Sequence, residues 1–259
     1  MILVVYSHVI GYAYLIDRNS FMNCYFMQFR MPLFFFVSGF LAYSFLDKAK
    51  YFKKLKRRLL GQFFPTCVML LLFDMYSQSN IASSLLDTYK NGYWFTLVVF
   101  ELFFVYTSIN YCVDLAHAGK IERGGVIFVL SMIFFISSRL LPNLYTARFA
   151  DVTSLSLVAS YAPYFGFGML AKLYYSQYSR IVMNEWIVSI SLLLYVFLNI
   201  QNPISPYLYG FLAIIVINSI FIHYQDFFSG SSWVGRTLSY IGRNTISVYF
   251  FTLFCVQIS

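Results

Sequence analysis

The chain has 259 residues, of which 60% are hydrophobic, 22% aromatic and only 11% charged. A soluble globular chain carries about 25% charged residues, so the composition excludes an ordinary soluble domain. It predicts a single transmembrane domain over residues 1–259, with the lipid bilayer as its surroundings. The formal net charge of +8 does not indicate a nucleic-acid partner, because no soluble recognition module is left to carry a basic patch.

Runs of about 20 mainly apolar residues predict helices that cross a bilayer. Nine candidate segments follow one another along the chain: 1–16, 24–46, 60–77, 93–113, 125–141, 154–172, 186–200, 207–223 and 244–259. The first is too short, since it rises only about 24 Å against a hydrocarbon core of about 30 Å. The fold class is therefore all-α, a polytopic helical membrane bundle of about nine transmembrane segments, the first incomplete. Because the chain opens and closes inside apolar runs, we expect it to be truncated at both ends, or its start to be misplaced.

The charges of the loops predict the orientation of these segments. The loop after the second segment is strongly basic, which predicts that it faces the cytoplasm. Its basic residues are Lys48, Lys50, Lys53, Lys54, Lys56, Arg57 and Arg58. Strict alternation of the segments puts three further pairs on the same side, namely Lys120 with Arg123, Lys172 with Arg180, and Arg236 with Arg243.

Ionisable residues inside apolar segments are costly and mark candidate sites. His8 lies at mid-membrane depth in the first segment, and histidine is the side chain best suited to exchange a proton near neutral pH. The alternative is a histidine that only forms a hydrogen bond between helices. Glu101 lies deep in the fourth segment, where we expect a carboxyl group to be protonated or paired with a buried arginine or histidine.

Arg30 precedes Pro32 and a bulky apolar run. Proline suits the first turn of a helix, so we expect Arg30 at a helix mouth. There its permanent charge requires an anion or carbonyl groups, unless it reaches the outer headgroups. Ser38 and Gly39 supply a small surface on which another membrane helix packs closely.

Arg57 and Arg58 lie just before the third segment. Each serves as a topology signal, and the adjacent pair could instead hold a phosphorylated ligand through charge-assisted hydrogen bonds. Asp74 lies near the outer end of the same segment, where we expect it to be interfacial, and His223 ends the eighth segment with a structural role. The cysteines show no C-x-x-C spacing and the chain has no H-E-x-x-H motif, so we expect no metal site.

Four stretches of the chain stand out together: VVYSH, which ends at His8, MPLFFFVSGF at 31–40, KLKRRLLGQFFP at 54–65 and LSYIGRNTISVY at 238–249. Tyr93-Trp94-Phe95 and the stretch YFGFG at 164–168 accompany them. In this order and spacing they resemble the acyltransferase-3 membrane proteins of bacteria, which O-acylate sugars and related extracytoplasmic acceptors. The resemblance spans nearly the whole chain.

The resemblance implies acetyl-CoA, or another acyl-CoA, as a cytoplasmic donor and a carbohydrate hydroxyl as the acceptor. His8 would act as a base or as a covalent acyl carrier, two alternatives that the sequence leaves open. Arg30 and Ser38 would join it at the reacting carbonyl. Arg57 and Arg58 would bind the phosphates of the donor. Glu101 and Trp94 would bind the substrate.

Two positions depart from the family pattern. The basic residue that the family places eleven positions before the first-helix histidine would precede Met1, and Thr252 stands where the last-helix motif usually reaches a histidine. Two further readings stay open beside the acyltransferase. One is an inactive, truncated family member. The other is a transporter or flippase for a polar envelope precursor, with Arg30 and Glu101 along its path. The oligomeric state is not determined by the sequence.

Overall fold

The structure is a computed structural model that describes residues 21–45, 47–78, 80–141, 143, 148–201, 206–244 and 249–250. Within these ranges the chain forms helices and no β-strands, which confirms the prediction of an all-α protein. The chain divides into two compact units, one of residues 35–173 and one of residues 1–34 with 174–259.

The helices of the described ranges are α1 (Phe21–Ala42), α2 (Lys48–Arg58), α3 (Phe64–Ser77), α4 (Ile81–Leu86), α5 (Trp94–Leu115), α6 (Lys120–Leu140), α7 (Arg148–Val152), α8 (Leu155–Leu173), α9 (Tyr175–Val182), α10 (Glu185–Gln201), α11 (Pro206–His223), α12 (Gln225–Phe228) and α13 (Trp233–Arg243). A π-helical turn, Leu59–Phe63, joins α2 to α3 without a break in the helix. A short 3₁₀ turn, Lys90–Gly92, precedes α5.

Within the described ranges, three helices are long and apolar enough to cross a membrane, namely Lys48–Ser77, α5 and α6. A fourth span results if α9 and the following Glu185–Phe197, bent by 68° at their junction, are counted as one. The prediction of about nine segments is therefore not confirmed within the described residues. The predicted first segment lies outside them, and so does most of the last.

The prediction that Arg30 lies at a helix mouth is wrong. Helix α1 begins at Phe21 and continues through Pro32, so Arg30 lies inside the helix, and it is buried with 7% of its surface exposed. Proline removes one backbone hydrogen bond and not the helix itself, which membrane helices tolerate because neighbouring groups satisfy the freed carbonyl.

In the unit of residues 35–173, helices α5, α6 and α8 form the core. The most extensive helix pair of the described residues is α6 with α8. Tyr106 of α5 links all three helices, because its hydroxyl lies 2.8 Å from Ser131 Oγ of α6 and donates to the Ala162 carbonyl of α8 at 3.1 Å. Hydrogen bonds between buried hydroxyl and carbonyl groups fix the register of apolar helices that would otherwise slide.

Glycines allow the second half of α1 to pack against α8 at backbone distance. A Cβ atom added at Gly39 would overlap the carbonyl of Phe165, and one added at Gly168 would overlap the carbonyl of Phe36. The small surface that the sequence predicts at Ser38 and Gly39 is thus a helix-packing surface.

In the unit of residues 1–34 with 174–259, helices α10 and α11 pack side by side. The rings of Tyr195 and Tyr209 meet edge to face there, with centroids 6.1 Å apart. Helix α11 ends at His223, as the sequence predicts. Helix α13 starts at an N-cap, Ser232, whose hydroxyl accepts the Gly235 backbone N–H at 2.8 Å.

Candidate active site

One end of the unit of residues 35–173 is rich in positive charge, and we call it the basic end. Its basic residues are Lys54, Lys120, Arg123 and Lys172. The chain segment that follows α1 is fixed here by two side chains. Lys54 Nζ donates to the Ala42 carbonyl at 2.6 Å and to Ser44 Oγ at 2.8 Å, and Asn110 Nδ2 donates to the Ser44 carbonyl at 3.1 Å.

Arg123 is held on several sides at the basic end. Its guanidinium forms an ion pair with Asp114, and its Nε donates to the Ala118 carbonyl at 2.8 Å. The same guanidinium lies 4.8 Å from the centroid of the Phe45 ring. An arginine bound in this way has lost most of its conformational freedom, so its remaining donors face a defined direction.

Arg57 and Arg58, the predicted phosphate ligands, have different environments. Arg57 is exposed. Arg58 is half-buried, donates from Nη1 to Gln62 Oε1 at 3.3 Å, and lies 5.2 Å from the centroid of the Phe103 ring. The structure therefore packs Arg58 against α5, while Arg57 remains at the surface of α2.

A buried polar seam joins α5 to the helix of residues 48–77. Gln62 Nε2 donates to the Thr96 carbonyl at 3.0 Å, and Thr66 Oγ1 donates to Thr96 Oγ1 at 2.8 Å. Glu101 lies one turn further along α5 than this seam. It is half-buried, and its Oε2 is enclosed without a hydrogen-bond partner within the described part of the chain. An enclosed carboxylate oxygen in this condition costs free energy of folding.

Trp94 begins α5 at the end opposite to Asp114, about 30 Å away along the helix axis. Its indole stacks on the Tyr161 ring, with centroids 5.6 Å apart and an interplanar angle of 18°. Tyr161 in turn stacks on Phe35 at 4.3 Å. The indole is half-buried, so this predicted substrate-binding residue is part of a rigid aromatic stack.

A compact polar cap covers the same end of α5. Asp74 is buried and accepts the Ser84 hydroxyl at 2.6 Å, because the α4 segment folds over it. Lys90 is 2% exposed, and its Nζ donates to the carbonyls of Leu85, Asp87 and Asp151 at 2.9, 2.6 and 2.6 Å. Burial lowers the pKa of Lys90 below its ordinary value.

The remaining predicted site residues are distributed as follows. His8 lies outside the described residues. Arg30 belongs to the unit of residues 1–34 with 174–259, and Ser38, half-buried, belongs to the other. Glu101 and Trp94 lie two turns apart on α5. No group of three or more His, Cys, Asp or Glu side chains that could hold a metal ion occurs within the described ranges.

The structure also brings together residues that the sequence treats only as topology signals. Lys120, Arg123 and Lys172 line one cavity with Ser44, although they lie far apart along the chain. The alternation of loop charges already predicts that these residues lie on one side of the membrane. The sequence does not indicate that their loops lie close together.

The protein has apolar helices long enough to cross a bilayer. Buried polar groups link these helices, and their ends form a basic surface. These features define a helical membrane protein. The family model described as an acyltransferase domain matches residues 1–258, and the chain belongs to the acyltransferase-3 family. No match is found among curated proteins or solved structures. Family membership supports an enzyme that transfers acyl groups at a membrane.

Proposed function

We propose that this protein is a membrane O-acyltransferase that moves an acyl group, acetyl in the simplest case, from cytoplasmic acyl-CoA to a hydroxyl of an extracytoplasmic sugar or polysaccharide. The observation that carries the proposal is the match of the acyltransferase family over residues 1–258. It leaves the donor, the acceptor and the direction of transfer open. The chemistry at the two ends of α5 supports those finer assignments.

The basic end suits an anionic donor. Several of its cations come from loops that the charge pattern assigns to the cytoplasm. Phosphate groups prefer arginine and lysine donors, which bind them through charge-assisted hydrogen bonds. A cytoplasmic acyl-CoA is therefore the donor that fits the charge of this end.

The opposite end suits a carbohydrate. The face of an aromatic ring carries partial negative charge, against which the C–H groups of a sugar ring pack. Trp94, held against Tyr161, offers such a surface. Glu101, further along α5, would accept hydrogen bonds from sugar hydroxyl groups through its carboxyl oxygens.

His8 is the proposed general base. It would accept the proton of the acceptor hydroxyl as the hydroxyl oxygen attacks the carbonyl carbon of the thioester. The new C–O bond forms, the C–S bond breaks, and the proton passes from the imidazole to the departing CoA thiolate. Arg30 and Ser38 would stabilise the negative charge that develops on the carbonyl oxygen.

The test is acyl transfer in membranes that contain His8→Ala. With radiolabelled acetyl-CoA as donor, we expect the variant to lose labelling of envelope carbohydrate while its abundance in the membrane stays normal. His117→Asn is the matched control, because His117 lies in an exposed turn with φ of 52°, a conformation that asparagine adopts readily. Unchanged labelling by His8→Ala would remove His8 from catalysis. Absence of labelling with the wild-type chain would overturn the proposed function.

A further inference from the structure

A cavity of about 560 Å³ opens at the basic end. Its walls come from three separate parts of the unit of residues 35–173: the segment after α1, the start of α6 and the end of α8. They are formed by Tyr43, Ser44, Phe45, Ala118, Lys120, Arg123, Lys172 and Leu173. Its volume lies within the range of about 300–1,000 Å³ that is typical of small-molecule sites.

The lining of this cavity carries an excess of positive charge. Lys120, Arg123 and Lys172 contribute three cations to the lining, and Arg123 forms an ion pair with Asp114, which is not part of the lining. Lys54 lies next to the cavity wall, since its Nζ reaches the hydroxyl of Ser44. A cavity of this charge attracts anions, and phosphate groups match it best because each accepts several charge-assisted hydrogen bonds.

The cations are positioned by the protein itself. The ion pair with Asp114 and the ring of Phe45 fix the guanidinium of Arg123. The ammonium of Lys172 lies 4.8 Å from the centroid of the Phe40 ring. Lys120 is the first residue of α6, and a helix N-terminus adds to the positive potential. Glu122 Oε2 caps this end of α6, where it accepts the Gly119 backbone N–H at 2.7 Å. The positive charges thus surround one space before any ligand enters.

We infer that this cavity is a phosphate-binding pocket formed by Lys120, Arg123 and Lys172. Resting on the proposed function, its ligand is the phosphate-bearing nucleotide of the acyl-CoA donor. Neither Arg57 nor Arg58 lines the cavity, so the phosphates are held by α6 and α8 and not by the two arginines before the π-helical turn. An anionic lipid headgroup also carries a phosphate that this pocket would bind. The experiment below distinguishes the lipid from the CoA nucleotide.

The test uses a double variant that carries both Lys120→Gln and Lys172→Gln, and compares it with the wild-type chain in detergent. Both lysines are exposed, whereas Arg123 is left in place because its ion pair stabilises the fold. We expect the Kd for CoA and the KM for acetyl-CoA to rise about tenfold for each lysine removed, with kcat unchanged. The KM for acetyl-pantetheine, which lacks the nucleotide, stays the same.

The matched control is Lys48→Gln with Lys53→Gln, which removes the same charge from exposed positions of α2 outside the cavity. If the double variant at Lys120 and Lys172 still transfers acyl groups and binds CoA with unchanged affinity, the assignment of the cavity as a phosphate-binding pocket is overturned. The proposed function is then left intact. If the wild-type chain transfers no acyl group but still binds CoA through these lysines, the pocket stands and the proposed function fails. Short-chain phosphatidylglycerol tests the lipid alternative. If it stabilises the wild-type chain and not the double variant, while the affinity for CoA is unchanged, the ligand is a lipid and the CoA assignment is overturned.

Discussion

Gly168 of α8 lies directly against the backbone of Phe36 in α1. A Cβ atom added at Gly168 would overlap the Phe36 carbonyl oxygen and approach the Phe40 nitrogen to 2.7 Å. The relationship is reciprocal, because Gly39 of α1 meets the carbonyl of Phe165 in α8 in the same way. These two glycines therefore set how closely the helices approach.

Substitution of Gly168 by alanine is expected to destabilise the protein. The added methyl group has no space, so the helices must separate, at a cost of about 1–3 kcal/mol in the free energy of unfolding. Thermal unfolding of the purified chain in detergent measures this loss. Gly125→Ala is the control, because nothing lies within 4 Å of a Cβ added there and alanine favours a helix over glycine. Equal melting temperatures for the two variants would show that the close crossing does not contribute to stability.

Lys90→Met is expected to destabilise the cap over the end of α5. The substitution removes the one ammonium group that donates to the carbonyls of Leu85, Asp87 and Asp151. Because buried carbonyls without donors cost about 1–3 kcal/mol each, the melting temperature should fall clearly. The relevant measurement is thermal unfolding, together with proteolysis of the segment that contains α4.

Lys53→Met serves as the comparison for Lys90, since Lys53 is exposed on α2. We expect it to unfold at the wild-type temperature. A wild-type melting curve for Lys90→Met would instead mean that water replaces the ammonium group at the three carbonyls, and that the cap does not depend on this lysine.

The sequence predicts the helical class and the family, because both depend on local properties. Apolar runs reflect the thickness of the bilayer, and the motifs around Pro32, Ser38 and Gly39 lie within one stretch of chain. The prediction that Arg30 lies at a helix mouth was wrong for a physical reason. A proline is the usual start of a helix in water, but inside a membrane the chain keeps its helix through Pro32 because it has no other way to satisfy its backbone.

The basic cavity could not be predicted because it depends on distances between loops. Lys120 begins α6 and Lys172 lies near the end of α8, 52 positions further along the chain. Only the packing of α6 against α8 brings these two ends together. Loop charge indicates a side of the membrane, which many basic residues share. The same holds for Asp74, whose burial depends on how the α4 segment folds back over it.

Glu101→Leu is expected to raise the stability of the protein while it lowers acyl transfer. The enclosed Oε2 of Glu101 has no hydrogen-bond partner in the described ranges, so leucine removes an unfavourable buried polar atom and adds apolar packing. A gain of about 1 kcal/mol in the free energy of unfolding is the expected size. Residues kept despite such a cost are typical of functional sites. If Glu101 binds the acceptor, the KM for the acceptor rises.

The two readouts for Glu101→Leu are the melting temperature in detergent and the acceptor dependence of acyl transfer. Phe104→Leu is the control on the same helix, because Phe104 is exposed on α5, and we expect it to change neither quantity. A lower melting temperature for Glu101→Leu would assign its carboxyl group a structural role. Unchanged acceptor kinetics together with higher stability would remove Glu101 from the substrate site.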